Sequence, residues 1–173
     1  LPDGTVLDGE LLAFHKGSPL PFSLLQTRIG RKRVSKKILQ EAPVSFIAFD
    51  LLEWGGKDLR NEPLFERKVL LEELAQKASH PKFKLSENIS FGSWEELARV
   101  RENARELQTE GLMLKKKDSP YETGRKRGAW WKWKLGKTKA VDDDLKDEWW
   151  DGVNDATQAL LPGQERRDTI ISS

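Results

Sequence analysis

The pattern that most constrains this chain is the alternation of Trp and Lys at Trp131, Lys132, Trp133 and Lys134. Successive side chains of a strand point to opposite faces. Read as a strand, the run puts both lysines on one face and both indoles on the other. Upstream, Leu112, Met113 and Leu114 form an apolar run with a buried look, and the turn formers Ser119-Pro120 and Thr123-Gly124 lie between the two. Residues 110–134 therefore read as two strands joined by a long loop. Two lysines held side by side on a rigid strand and backed by indoles suit a grip on phosphate.

Charge points the same way. The formal net charge of +2 hides a split, because residues 141–173 carry −6 and residues 1–140 carry +8. A basic body with an acidic tail favours an anionic partner for the body. Without cysteine, disulfides and thiolate zinc are excluded, and His15 and His80 lack any ligand spacing. No apolar run approaches the roughly 20 residues that span a bilayer, and no secretory signal opens the chain. A cytoplasmic, nucleoid-associated protein is the expectation. At 173 residues the chain suffices for one domain, or one domain plus a tail. It begins at Leu1 and its single methionine is Met113, so it reads as a piece of a longer protein.

Taken in order, residues 6–14 read as a strand in which Asp8 and Glu10 share a face and Gly9 permits close backbone approach. An edge strand whose carboxylates face water is the alternative. Residues 21–40 fit a short amphipathic helix with a basic flank of Arg28, Arg31, Lys32, Arg33, Lys36 and Lys37, with Glu41 the one acid nearby. That flank is a solvated face or an anion-binding one. Residues 44–52 are an apolar run bounded by Pro43 and Gly55-Gly56, a central strand whose Asp50 needs a partner. A helix starts at Pro63 and runs to about residue 79, with Phe65, Val69, Leu70, Leu74 and Ala78 as its apolar face. Short strands are expected over 82–85 and 89–91. Ser93 and Glu96 form a capping box opening a helix to about residue 107, with Leu97, Val100, Ala104 and Leu107 as its stripe. The acidic stretch 142–148 precedes Trp149-Trp150, a possible short helix over 154–161 and the turn former Pro162-Gly163.

Each motif is weak alone, but the set is specific. Leu7-Asp8-Gly9-Glu10-Leu11, Phe46-Ile47-Ala48-Phe49-Asp50-Leu51-Leu52, Glu110-Gly111-Leu112-Met113-Leu114-Lys115 and Trp130-Trp131-Lys132-Trp133-Lys134 follow one another in that order. So ordered, they resemble motifs III, IIIa, IV and V of the ATP-dependent DNA ligases, within the covalent nucleotidyltransferase superfamily. Leu25-Gln26-Thr27-Arg28, the segment 62–68, and Pro120-Tyr121 followed by Gly124-Arg125-Lys126-Arg127-Gly128 are similar to that family too. The resemblance covers roughly residues 1–135, and the stand-alone bacterial type is nearest in character.

The resemblance implies a chemistry. A lysine amine attacks the α-phosphate of ATP and expels pyrophosphate, leaving lysyl-AMP; the AMP then passes to the 5′-phosphate of a nick, and the 3′-hydroxyl displaces it. Such steps serve DNA replication, recombination and repair, and they rest on positioning and charge neutralisation. By motif match, Glu10 would touch the ribose and, with Glu110, a Mg²⁺ or Mn²⁺ ion. Phe49 would stack on adenine. Lys132 and Lys134 would hold the α-phosphate, with Lys115 a weaker candidate for that pocket. Arg28, Arg31, Lys32, Arg33, Arg125 and Lys126 would contact the backbone of nicked duplex DNA, the partner of a monomer. Two departures stand out. The nucleophile motif K-x-D-G does not occur, since neither Pro2-Asp3-Gly4 nor Leu7-Asp8-Gly9 supplies the lysine. The fragment alone is therefore expected neither to form lysyl-AMP nor to seal nicks. In the family, motif V leads into an OB-fold, which residues 136–173 do not resemble.

The expected architecture is α+β. Antiparallel sheets carry the motif strands on a shared cleft, the 63–79 and 93–107 helices pack outside, and the adenylation core is truncated at its amino end. Residues 1–135 would form that partial adenylation domain and 136–173 an acidic tail. One sheet short of strands predicts marginal stability. A non-catalytic, basic nucleic-acid-binding module, an RNA ligase or capping-type nucleotidyltransferase, and a purely structural α+β fragment are the competing readings.

Overall fold

A computed structural model of the chain describes residues 1–105, 109–124 and 129–135 and the strands at 155–160 and 169–172. In chain order it contains β1 (Val6–His15), β2 (Ser18–Pro19), α1 (Phe22–Gln26), α2 (Lys36–Glu41), β3 (Val44–Trp54) and β4 (Lys57–Asp58). These are followed by α3 (Leu64–Ala78), β5 (Phe83–Leu85), β6 (Asn88–Ile89) and α4 (Trp94–Glu102), which ends in a 3₁₀ turn at Asn103–Arg105. The last strands are β7 (Thr109–Lys115), β8 (Trp130–Lys134), β9 (Asp155–Leu160) and β10 (Thr169–Ser172).

Two sheets result, in the α+β arrangement expected. The first runs β10-β1-β3-β4, with β2 added to β1 and β5 to β3, and the second runs β6-β9-β7-β8. All pairings are antiparallel except β3 with β5. The strand β1 is flanked by both β10 and β3 over residues 6–9, so the edge-strand alternative does not hold for that half, and residues 10–13 pair with β3. The short helix expected over 154–161 is instead β9, paired with β6 and β7. Through β9 and β10 the acidic tail joins both sheets.

Each sheet has its own core. Leu7, Ala48, Leu51, Leu59, Leu71 and Leu74 pack between the first sheet and α3. Leu97, Leu112, Leu114 and Trp133 pack between the second sheet and α4. A fully buried leucine contributes about 1.5–3 kcal/mol. The helix α4 starts as its capping box predicts, with Ser93 Oγ accepting from the Glu96 N–H at 3.2 Å. Glu96 reaches back to accept from the N–H of Gly92 at 2.8 Å.

Two helices differ from expectation. The basic segment forms two short helices rather than one, with a turn over 27–30 between them that contains Gly30 at φ +77°. In α3 the buried side chains are Leu64, Arg67, Lys68, Leu71 and Leu74. Phe65 and Val69, assigned above to the apolar face, are about half exposed at 48% and 54%. The helix is turned so that Arg67 faces inward, and the cause is Asp50. The Arg67 guanidinium donates from Nε to Asp50 Oδ1 at 2.7 Å and from Nη2 to Oδ2 at 2.9 Å, with both side chains fully buried. This bidentate pair answers the requirement that Asp50 find a partner within an apolar strand.

The same arginine reaches across to the second sheet. Its Nη1 donates to the Ser119 carbonyl at 3.0 Å and to the Glu62 carbonyl. Pro63 gives α3 no side-chain cap. The first amides of the helix are satisfied instead by the loop after β7, Leu64 N–H donating to Ser119 O and Phe65 N–H to Lys117 O, each at 3.0 Å. Removing one member of a buried pair leaves the other charge uncompensated, at a cost of about 3–5 kcal/mol. Arg67→Met is therefore expected to lower unfolding stability by that amount in urea titrations, well beyond the effect of Lys77→Met on the exposed face of the same helix.

Candidate active site between the two sheets

The face that the first sheet turns toward the second is shaped by a bulge. In the pairing of β1 with β3, Asp8 lies opposite Asp50 and Gly9 opposite Ala48, so Phe49 is an extra residue of β3, as is Leu52 nearer the strand's end. A bulge bends its strand and re-aims the side chain it carries. Gly9 makes the close pairing possible, because a Cβ there would stand 2.4 Å from the Phe46 ring and 2.6 Å from the Ile47 carbonyl. Asp8 is buried, and Glu10, opposite Ile47, is half-buried.

The second sheet carries the lysine strand as the alternation requires. Met113 lies opposite Lys132 and Gly111 opposite Lys134, whereas Leu112 pairs with Trp133 and Leu114 with Trp131. The indole face is the packed one. Trp133 is buried against Leu97, meets the Trp94 ring edge-on at 6.2 Å and lies under the Arg101 guanidinium at 4.4 Å. The opposite face presents Lys132, exposed, and Lys134, half-buried. Two residues apart on a strand, they stand roughly 7 Å from each other.

Glu110 occupies a bulge as well. In the pairing of β7 with β9, Thr109 lies opposite Leu160 and Gly111 opposite Ala159, which leaves Glu110 as the extra residue. Its backbone is described and its side chain is not. Gly111 has φ +142°, and a Cβ on it would come within 2.2 Å of the Trp133 carbonyl.

Lys115, the weaker candidate for the phosphate pocket, is the last residue of β7. It is buried, with Nζ 3.9 Å from the Trp130 ring centroid and 4.7 Å from that of Phe49. It thus bridges the two sheets by cation–π contacts. Of the DNA-contact candidates, Arg28 is half-buried and donates from Nη1 to the Ala42 carbonyl at 2.8 Å, which ties the turn after α1 to the end of α2. Arg31 donates from Nε to the Thr27 carbonyl and is exposed, as are Lys32 and Arg33. Arg125 and Lys126 lie outside the described residues.

One residue of this face carried no role in the sequence reading. The Tyr121 hydroxyl donates to Asp8 Oδ2 at 2.9 Å, while its ring meets Trp130 edge-on at 5.5 Å and lies 5.9 Å from the Arg67 guanidinium carbon. The signal was Pro120-Tyr121 itself, an aromatic directly after a turn proline in the loop joining the two strands.

The donor set fits a nucleotide. Paired lysines on one strand face suit phosphate oxygens, and an aromatic ring such as that of Phe49 suits a base. Among the described residues no group of three or more His, Cys, Asp or Glu is placed to hold a metal ion. Mg²⁺ commonly takes only one or two protein carboxylates and fills its shell with water and phosphate. Glu10 and Glu110 would be that pair. Among the described residues no helix is long and apolar enough to cross a membrane.

One sheet with a single parallel pairing, one antiparallel sheet and the helices packed on each make an α+β domain. The family described as "ATP dependent DNA ligase domain" matches residues 2–134, and the chain belongs to that family. Relatives include a probable DNA ligase of Koribacter versatilis, 35% identical over 150 residues, which covers 75% of this chain and 26% of the relative. A DNA ligase of Archaeoglobus fulgidus is 34% identical over 154 residues, covering 86% of this chain and 26% of the relative. The chain thus spans about a quarter of the length of those relatives. Among solved structures, the ligase domain of Mycobacterium tuberculosis LigD superposes with a TM-score of 0.52 at 33% identity, covering 73% of this chain and 36% of that one. A mycobacterial DNA ligase D complexed with ATP and MES gives the same TM-score and coverage at 31% identity.

Gly111 generates a test. Gly111→Ala must relieve a contact with the Trp133 carbonyl in a backbone region that side chains rarely adopt, a strain of about 1–3 kcal/mol. We expect a loss of at least that size in urea unfolding, together with a changed Trp emission spectrum, since Trp133 and Trp131 sit on the strand that must shift.

Proposed function

We propose that this chain is part of the adenylation domain of an ATP-dependent DNA ligase that seals nicks in duplex DNA. The observation that carries the reading is the alternation on β8. Lys132 and Lys134 share one face of β8, the face on which Lys115 of the neighbouring strand reaches the Phe49 ring, and Trp133 packs their strand from behind. Preorganised cations aimed at a phosphoryl group act most strongly as charge develops there. Phe49 would stack on the base, Glu10 would meet the ribose, and Lys132 and Lys134 would neutralise the α-phosphate. A Mg²⁺ or Mn²⁺ ion held by Glu10 and Glu110 would neutralise phosphate charge. The mycobacterial relative bound to ATP supports this choice of nucleotide. The nucleophilic lysine is not among the residues of this chain, so the 173 residues alone are expected to form no protein–AMP adduct.

The reading is tested on the complete protein with radiolabelled ATP. An adduct that resists base and is cleaved by acid is expected, and Lys132→Ala or Lys134→Ala should each slow its formation by about 100-fold or more. Failure to form the adduct would remove the ligase reading in favour of a non-catalytic binding module. Sealing of nicked DNA duplex in preference to RNA ends separates it from RNA ligases.

Duplex binding rests on the exposed bases of the α1–α2 connection. Replacing Arg31, Lys32 and Arg33 by Ala should flatten the dependence of log affinity on log salt by about 0.9 for each phosphate that is no longer neutralised. Arg28→Ala, in contrast, is expected to act mainly on stability, because its guanidinium is committed to the Ala42 carbonyl.

A further inference from the structure

The two halves of the site stand on different sheets, so something must fix the distance between them. The pairing of β1 with β3 sets Asp8 directly opposite Asp50, both buried. Like charges directly opposite on a sheet destabilise it unless each finds its own partner. Asp50 is answered by Arg67 from α3. Asp8 accepts from Tyr121, which lies 113 residues away in sequence, on the segment that follows β7.

Tyr121 is itself fixed from several sides. Its N–H donates to the Arg60 carbonyl at 2.7 Å, and two residues earlier the Ser119 carbonyl accepts from both Leu64 N–H and Arg67 Nη1. Its ring edge meets Trp130, the first residue of the lysine strand, and Trp130 in turn sandwiches the Lys115 ammonium against Phe49. One phenol therefore joins the strand of Glu10, through Asp8, to the strand of Lys132 and Lys134, through Trp130.

We propose that Tyr121 is a positioning residue of the adenylation reaction. Its hydroxyl holds the carboxylate of Asp8, and through it the Asp8-Gly9-Glu10 strand, at the spacing from the lysine strand that the reacting phosphate requires. This rests on the ligase reading given above. Tyr121 touches no reacting atom in this assignment and acts through Asp8 and Trp130. Misplacement of catalytic groups on the order of 1 Å slows such reactions by about 100-fold. The paired lysines act on charge that develops in the transition state, so the loss belongs in the rate at saturating ATP rather than in its apparent affinity.

The experiment is single-turnover adenylation of the complete protein across a range of ATP concentrations, with wild type, Tyr121→Phe and Asp8→Asn, each checked by thermal unfolding. Tyr121→Phe keeps the ring against Trp130 and removes only the donor. We expect its rate at saturating ATP to fall about 10- to 100-fold, with half-saturation within about threefold of wild type and at a temperature where the variant is fully folded. Asp8→Asn retains an acceptor for the phenol and is expected to lose less than Tyr121→Phe. A Tyr121→Phe rate within twofold of wild type overturns the proposal. So does a deficit that vanishes once the folded fraction is equalised, which would reduce the hydroxyl to a stabilising contact. Should Tyr121→Phe prove poorly folded, Tyr121→His, with its shorter ring and its own donor, replaces it, and recovery of rate above an unstable Tyr121→Leu supports the role of the donor. An absence of adduct from wild type itself would remove the ligase reading, an outcome distinct from a wild-type adduct with an indifferent Tyr121.

Discussion

The buried ion pair between Arg67 and Asp50 is the interaction on which the rest of the structure depends. A carboxylate within the central strand of a sheet is costly unless its charge is matched and its lone pairs are filled. Arg67 supplies both, and Asp50 Oδ1 also accepts from the Leu51 N–H at 2.9 Å. The Nη1 donors go to the carbonyls of residues 62 and 119. One planar group therefore binds a strand of the first sheet, the start of α3 and the loop leaving the second sheet. Such a pair adds little net energy over an apolar replacement of similar shape. Its value here is geometric, since an aliphatic side chain could not make four directed contacts to three segments.

That pair also explains why α3 was only half legible in the sequence. Its limits followed from Pro63 and from the loss of apolar periodicity near residue 79. Its orientation did not, because Phe65 and Val69 look like core and Arg67 looks like surface when hydrophobicity alone is read. Asp50 announced a need, but nothing in the local sequence identified a partner 17 residues further on. The lysine strand is the opposite case. Strict alternation of Trp and Lys determines faces without any tertiary knowledge, and the buried run at 112–114 is where that pattern required it. The strands of the tail were not legible, since residues 155–160 hold no clear alternation and owe their conformation to neighbours supplied by β6 and β7.

The bulges were hidden for a different reason. A bulge adds one residue to one strand, and the sequence of that strand does not record what its partner will do. Phe49 and Glu110 were singled out by motif, and each proves to be an extra residue in its pairing. The basic segment shows a related limit. Its charges were correctly seen as exposed at Arg31, Lys32 and Arg33, while Arg28 was indistinguishable from them until the carbonyl of Ala42 came within its reach.

The two glycine-containing motifs can now be compared as pieces of geometry. In Asp8-Gly9-Glu10 the glycine lets β1 lie against the Phe46 ring and the Ile47 backbone, beside the bulge that turns Phe49. In Glu110-Gly111-Leu112 the glycine takes φ +142° beneath the Trp133 carbonyl, directly after the bulge at Glu110. In each, a glutamate stands beside a residue with no Cβ, where one strand crowds the next. A side chain at either glycine would push the strands apart beside that carboxylate. Each glycine thus sets how closely its strand approaches the facing one beside a glutamate, so the spacing of the strands depends on the pair of residues and not on the acid alone.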